Sequence, residues 1–84
     1  MIYLAGQLVA MGHVRSGRKI AQVIGYTSTG KICVRVWRHN SRCWTNEQRF
    51  DRDKVVGFAP DDWPQTKAAR LEIYAERSAA RRRP

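Results

Sequence analysis

Hydrophobic and polar residues alternate in short runs along the first two thirds of the chain. The run Lys31–Arg38 shows the pattern most clearly, because Ile32, Val34 and Val36 occupy every second position. Side chains alternate between the two faces of a β-strand, so this spacing predicts a strand with one apolar face. Similar runs between turn residues predict further strands at Gln7–Met11, Ile20–Tyr26, Cys43–Phe50 and Lys54–Phe58.

A helical pattern replaces the strand pattern near the end of the chain. Gln65–Ala80 is rich in helix-forming residues, and Asp62 followed three positions later by Gln65 resembles a capping box. Residues spaced three and four apart share one helix face, which here forms a narrow apolar stripe. We therefore expect the helix to dock on the sheet through Leu71 and Tyr74.

The order of these elements predicts a mainly β protein. We expect a small antiparallel barrel of about five strands followed by one α-helix. A chain of 84 residues fits one folding unit with a modest core. The expected organisation is a barrel domain over residues 1–60, a helix over 61–80 that packs on it, and a disordered basic tail over 81–84.

Three segments carry a resemblance to a known fold family. They are Gly12-His13-Val14, the run VRSGRKIAQVIGY that begins at Val14, and the closing run DKVVGFAP. Over about residues 12–60 the chain resembles the SH3-like small β-barrels, particularly their KOW/Tudor-type branch. Some members of that branch bind RNA or DNA, and others hold methylated side chains or protein tails. The resemblance therefore implies a barrel that binds a ligand without fixing the ligand's class.

The charge balance narrows the choice of partner. The chain carries 16 Lys and Arg against 7 Asp and Glu, a formal net charge of +9. Between His13 and Lys54 the basic residues outnumber the acidic ones by seven, and many stand in or beside turns. Such a charge excess favours nucleic acid as the partner, with anionic membranes and acidic proteins as the next candidates. Cations in turns suit phosphate contacts that carry no sequence information.

The second face of the strand Lys31–Arg38 holds chemically richer side chains. Arg35, Trp37 and His39 follow one another on the side opposite the apolar stripe. If that face is exposed, an indole beside a guanidinium suits stacking on unpaired bases. The alternative is that Trp37 packs under the terminal helix. Pairing across the turn after this strand would bring Trp44 opposite or diagonal to Trp37, where the two could form a stacking platform or part of a core.

Together these arguments predict one set of nucleic-acid-binding residues. The candidates are Arg15, Arg18, Lys19, Lys31, Arg35, Trp37, Arg38, His39, Arg42 and Trp44.

Metal binding and catalysis are not expected. Cys33, His39 and Cys43 lack the short spacings of structural zinc sites, and six positions of extended strand hold Cys33 and His39 about 20 Å apart. No nucleophile elbow, phosphate-binding loop or paired-carboxylate motif occurs in the sequence. The expected protein is a non-enzymatic binding module without a cofactor.

The sequence also gives expectations about location. Charged residues recur every few positions after Val14, and Met1–Val14 lacks the basic start of a signal peptide. We expect a cytoplasmic protein with no membrane partner, in which Cys33 and Cys43 are reduced thiols.

An alternative function fits the same surface. A small accessory protein of a phage or plasmid could use exposed tryptophan and arginine to bind and inhibit a host protein complex, because these residues dominate protein interfaces. A free strand edge would also allow a homodimer.

Overall fold

The computed structural model describes residues 3–12 and 19–81, and the strands follow the order predicted from the sequence. Within these residues it contains six strands, a short 3-10 turn and one helix. The elements are β1 (Leu8–Met11), β2 (Lys19–Tyr26), β3 (Ile32–Arg38), β4 (Cys43–Trp44), β5 (Gln48–Phe50), the 3-10 turn (Arg52–Lys54), β6 (Val55–Phe58) and α1 (Pro64–Arg81).

All strand pairs are antiparallel, and the six strands form one sheet in the order β4-β3-β2-β1-β6, with β5 also paired to β3. The predicted mainly β fold with a C-terminal helix is confirmed. The last strand returns to pair with the first, so β6 forms one edge of the sheet and β4 and β5 form the other. No pairing joins these two edges in the described residues, so the sheet is open and its closure into a barrel stays a prediction.

The predicted single strand Cys43–Phe50 is divided into β4 and β5. Between them, the Thr45 hydroxyl accepts a hydrogen bond from the Val36 N–H at 2.9 Å, and the Thr45 N–H donates to the Val36 carbonyl at 2.9 Å. The side chain of Thr45 thus takes the place of a backbone carbonyl in the ladder. This substitution lets the chain leave the strand direction while β3 keeps its hydrogen bonds.

The larger core lies on one face of the sheet, where strand alternation predicts it. Ile32, Val34 and Val36 of β3 are buried there, as expected from their spacing. They pack with side chains of β1 and β2, including Val9 and Val23.

A second, smaller core fills the space between the other face of the sheet and α1. It contains Ile20, Trp37, Ala59 and Ala69, with Trp44 and two further side chains of the helix region packed at its margin. Of the two arrangements considered for Trp37, packing under the helix is the one observed, because this indole retains only 5% of its accessible surface. The helix covers this indole because burial of so large an apolar side chain stabilises the fold by about 1.5–3 kcal/mol.

The helix docks through a different stripe from the one predicted. Thr66, Ala69 and Ile73 are buried, whereas Leu71 and Tyr74 remain 69% and 55% exposed. The buried residues follow one another at i, i+3 and i+7, a spacing that keeps them on one helix face. The small side chain of Ala69 lets the helix approach the sheet closely, which the sequence pattern alone did not reveal.

The helix also starts one residue later than the capping pattern predicts. The carbonyl of Trp63 accepts the first helical hydrogen bond, from the Lys67 N–H at 3.1 Å, so Trp63 and not Asp62 holds the N-cap position. Pro64 then occupies the first helical turn, where its missing N–H costs nothing. Among the described residues, no helix is both long enough and apolar enough to cross a membrane.

Candidate nucleic-acid interface

The predicted contact residues do not form one cluster. The end of β3 that carries Arg38 leads into the turn with His39 and Arg42, whereas Lys31 precedes the opposite end of the strand. Six residue steps at the rise of an antiparallel strand separate the two ends by about 20 Å. The structure therefore groups Arg38, His39 and Arg42 and leaves Lys31 apart.

Lys19 belongs to the same end of the sheet as Arg38. The register between β2 and β3 pairs Ala21 with Val36, and continuing it by two residues places Lys19 opposite Arg38. Arg38 is in turn paired with Cys43 of β4, directly after Arg42. We call Lys19, Arg38 and Arg42 the basic end.

All three side chains of the basic end are exposed to solvent. The two ion pairs formed among the described residues join Arg35 to Glu76 and Arg70 to Asp61, so neither neutralises the basic end. Arg15 and Arg18, which complete the predicted set, lie outside the described residues. The charge at this end is thus available to an external anion.

Arg42 adopts an unusual backbone conformation in the turn between β3 and β4. Its φ of 50° lies in the left-handed region, where a side chain crowds the following carbonyl. Glycine or asparagine is the ordinary choice at such a position. The chain instead places an exposed guanidinium at the tip of this turn.

Arg35 has a structural environment that the sequence did not predict. Its Nη atoms donate to the two carboxylate oxygens of Glu76 at 2.7 and 3.0 Å, and its Nε donates to Gln22 Oε1 at 2.8 Å. Its guanidinium carbon also lies 4.3 Å from the centre of the Trp44 ring. These contacts occupy the guanidinium N–H groups that would otherwise bind a phosphate. They connect β2 and β3 to α1 instead.

The two tryptophans of the predicted stacking surface form part of the second core. Trp37 and Trp44 are directly paired across β3 and β4, as predicted, and their rings meet edge to face at 5.0 Å. Trp37 is buried, and the Arg35 guanidinium lies over one face of the Trp44 ring. Tyr26, the aromatic residue that ends β2, lies apart from them near the other end of β3, where its hydroxyl bonds to the backbone of Tyr3. This arrangement gives no stacking platform for bases.

His39 links the second core to the basic end. It is half-buried, and its Nδ1 accepts a hydrogen bond from Trp37 Nε1 at 3.3 Å. In the neutral ring the proton then resides on Nε2, which can act as a hydrogen-bond donor. His39 can therefore hold the buried indole and still offer one donor to a ligand.

The cysteines and histidines show no shared site. Cys33 is a buried free thiol in β3, and Cys43 is an exposed free thiol in β4. No group of three metal-ligating side chains lies together in the part of the chain that the structure describes. His13, which would be a possible fourth ligand beside Cys33, His39 and Cys43, lies outside that part.

Sequence reasoning missed the partners of Arg35. Glu76 falls three residues after Ile73 and continues the helix stripe that begins at Thr66, so correct identification of that stripe would have placed a carboxylate over the sheet. Gln22 offered no comparable signal. Its role depends on the register between β2 and β3, which pairs it with Arg35.

Comparison of the chain with protein-family models, with curated proteins and with solved structures gave no match.

Proposed function

We propose that this protein is a non-enzymatic nucleic-acid-binding module that contacts the phosphate backbone through its basic end. Lys19, Arg38 and Arg42 make these contacts, His39 adds a hydrogen-bond donor, and the predicted residues Arg15 and Arg18 contribute from the segment that joins β1 to β2. Lys31 is a peripheral contact. Arg35, Trp37 and Trp44 support the site from within the fold.

The observation that carries the proposal is the lack of ion pairs at the basic end. Its three cations are exposed at the same end of the sheet, and both ion pairs among the described residues lie elsewhere. A cluster of like charges without counter-ions raises the electrostatic energy of the free protein, and a polyanion relieves that repulsion. The formal charge of +9 adds a long-range attraction for such a partner.

Recognition through these groups depends weakly on base sequence. Phosphate contacts position a protein on nucleic acid but do not distinguish bases. The buried Trp37 removes the stacking contribution that would have favoured single strands. DNA and RNA are therefore both suitable ligands, and affinity is set mainly by charge.

A salt series tests the proposal. Fluorescence anisotropy with labelled single- and double-stranded probes should give a linear decrease of log affinity with log salt concentration. Five phosphate contacts to duplex DNA correspond to a slope of about −4 to −5. Arg38→Ala should make the slope less steep by about 1. Arg49→Ala, which removes an exposed cation paired with Cys33 near the start of β3, is the matched control and should have a smaller effect. An affinity that does not change with salt contradicts the proposal.

The fold itself supports the resemblance to the SH3-like small barrels. The chain forms an antiparallel meander whose last strand returns to the first, which is the connection that a small closed sheet requires. In such a barrel the loops and turns at one end can present a shared binding surface, and the basic end occupies this position.

The second candidate is an accessory protein that binds an acidic surface of a host protein through the same cations. A pull-down from nuclease-treated lysate separates the two functions. A partner that Arg38→Ala releases, and that persists after nuclease treatment, would favour this second candidate over nucleic acid.

A further inference from the structure

A groove of about 440 Å³ lies between α1 and the sheet edge where β1 begins and β6 ends. Leu8, Ala59 and Ile73 contribute to its apolar lining, and Tyr74 and Arg77 of α1 lie along its helical side. We call this feature the edge groove. It lies toward the start of β1, whereas Lys19 of the basic end pairs with the last residue of that strand.

Large apolar side chains remain exposed at the edge groove. Phe58 and Tyr74, which both line it, are 53% and 55% exposed. Leu71, which is more exposed still, lies three residues before Tyr74 and so extends the apolar surface along the helix. Tyr74 and Leu71 thus give α1 an exposed apolar surface beside the groove. Phe58, whose ring contacts Tyr3, adds another at the strand edge.

The backbone of β6 offers unused hydrogen-bonding groups beside the edge groove. Ala59 donates its N–H to the Leu8 carbonyl at 3.1 Å, and the preceding residue Phe58 is paired with Val9. Successive residues in an antiparallel ladder direct their backbone groups to alternate sides, so the N–H and C=O of Phe58 point away from β1. No described strand pairs with this outer side of β6. An extended polypeptide can therefore continue the sheet here.

The charges at the edge groove favour an acidic occupant. Arg70 donates to Asp61 at 2.7 Å, which neutralises that pair within the protein. Arg77 is exposed and has no ion-pair partner among the described residues. The edge groove thus combines a partly apolar lining, a free strand edge and one uncompensated guanidinium.

We propose that the edge groove binds a short, extended and acidic segment of another polypeptide. The segment adds as a strand alongside β6, inserts an apolar or aromatic side chain between β6 and α1, and places a carboxylate against Arg77. This site is separate from the basic end and does not depend on the function proposed for it.

Two other occupants fit the observations less well. A second copy of the chain would bring another formal charge of +9 to the same edge, and the repulsion would oppose a dimer built on a four-residue strand. Nucleic acid would find only one uncompensated guanidinium in the groove, next to the carboxylate of Asp61. An acidic polypeptide satisfies the backbone, the apolar lining and the charge together.

A defined peptide probe tests the proposal on the full chain. The probe is a fluorescein-labelled octapeptide in which glutamate alternates with valine and phenylalanine, and its binding is measured by anisotropy at physiological salt. We expect it to bind at least tenfold more tightly than the same peptide with lysine in place of glutamate. N-methylation of alternate backbone amides on the edge that faces β6 should weaken binding at least tenfold, because it blocks strand pairing. Equal binding of the methylated and unmethylated peptides would overturn strand addition.

Protein variants separate the edge groove from general charge attraction. Arg77→Glu should weaken binding of the acidic peptide at least tenfold, and Tyr74→Ser about fivefold. Arg49→Glu makes the same charge change on the opposite edge of the sheet and should alter affinity less than twofold. Thermal unfolding of each variant checks that it folds. Equal effects of Arg77→Glu and Arg49→Glu would show that charge alone attracts the peptide and would overturn the proposal.

Two further results would assign the edge groove to another occupant. Loss of nucleic-acid affinity on Arg77→Glu as large as that on Arg38→Glu would make it part of the nucleic-acid interface. A concentration-dependent dimer that Phe58→Lys abolishes would make it a homodimer contact. Either result would overturn binding of an acidic polypeptide.

Discussion

At the scale of single residues, Arg35 shows how the surroundings of a side chain decide its role. The spacing in β3 places it on the same face as Trp37, which suggested contact with a ligand. In the fold it donates three hydrogen bonds and lies over the Trp44 ring, and its side chain is 24% exposed. A guanidinium that is already satisfied gains little from an external phosphate. We therefore expect Arg35 to contribute mainly to stability.

Substitution of Arg35 tests this assignment. Arg35→Ala should lower the free energy of unfolding by about 2 kcal/mol, because it removes charge-assisted hydrogen bonds and the contact with Trp44. Arg35→Lys should recover only part of this loss, since an ammonium cannot reproduce the planar fork. Urea unfolding followed by tryptophan fluorescence measures both variants. Full stability combined with a loss of nucleic-acid affinity in Arg35→Ala would return this residue to the contact surface.

Arg42 presents the opposite case, a side chain whose conformation costs stability. A left-handed conformation costs a non-glycine residue about 1–2 kcal/mol, which glycine would avoid. Glycine also makes the unfolded chain more flexible, and this lowers the free energy of unfolding by about 0.4–1 kcal/mol. Arg42→Gly should therefore leave the free energy of unfolding unchanged or raise it by up to about 1.5 kcal/mol. The same change should weaken nucleic-acid binding, because a phosphate contact is lost. Unfolding and anisotropy measurements on one preparation check both effects, and a clear destabilisation would contradict the strain argument.

At the scale of elements, the strands were more predictable than the docking of the helix. Each β-strand carries its own evidence in the alternation of apolar residues, and the β3 stripe Ile32, Val34 and Val36 entered the core as predicted. The helix offered two stripes of similar hydrophobicity. The choice between them depended on the shape of the sheet surface, where the small Ala69 fits and the larger Leu71 does not pack. That shape arises only after the strands have paired.

The candidate site was only partly predictable for the same reason. Charge and turn positions identified Lys19, Arg38 and Arg42, which the fold brings to one end of the sheet. The role of the tryptophans could not be decided from the sequence, because alternation along a strand shows which side chains share a face but not what covers that face. Here α1 covers the face that carries Trp37. The edge groove could not be predicted, since it depends on how α1 lies against β1 and β6.

Two substitutions in α1 test its docking face. Ile73→Ala should lower the free energy of unfolding by about 2–4 kcal/mol, because it leaves a cavity beneath the helix. Leu71→Ala is the matched control, and it should change stability by less than about 0.5 kcal/mol since its side chain is mostly exposed. Urea unfolding measures both. A larger loss for Leu71→Ala than for Ile73→Ala would restore the docking stripe predicted from the sequence.

At the scale of the whole molecule, charge and apolar surface occupy different places. The uncompensated cations of the basic end lie where β2 begins and β3 ends, and the edge groove lies where β1 begins and β6 ends. The helix contributes to both arrangements, through Glu76, which holds Arg35, and through Tyr74, which lines the groove. A chain of 84 residues can thus present two chemically distinct surfaces on one small sheet.

The net charge leads to a prediction about how the thermal stability of the whole molecule depends on salt. A formal charge of +9 in a compact chain produces self-repulsion, which dissolved ions screen. The thermal midpoint should therefore rise by several degrees between about 20 and 300 mM sodium chloride, whereas nucleic-acid affinity should fall over the same range. Lys31→Glu, which lowers the net charge at an exposed position far from the basic end, should reduce the salt dependence of stability more than that of binding. A thermal midpoint that stays constant or falls with salt would show that the local ion pairs, and not the overall repulsion, set the electrostatic stability.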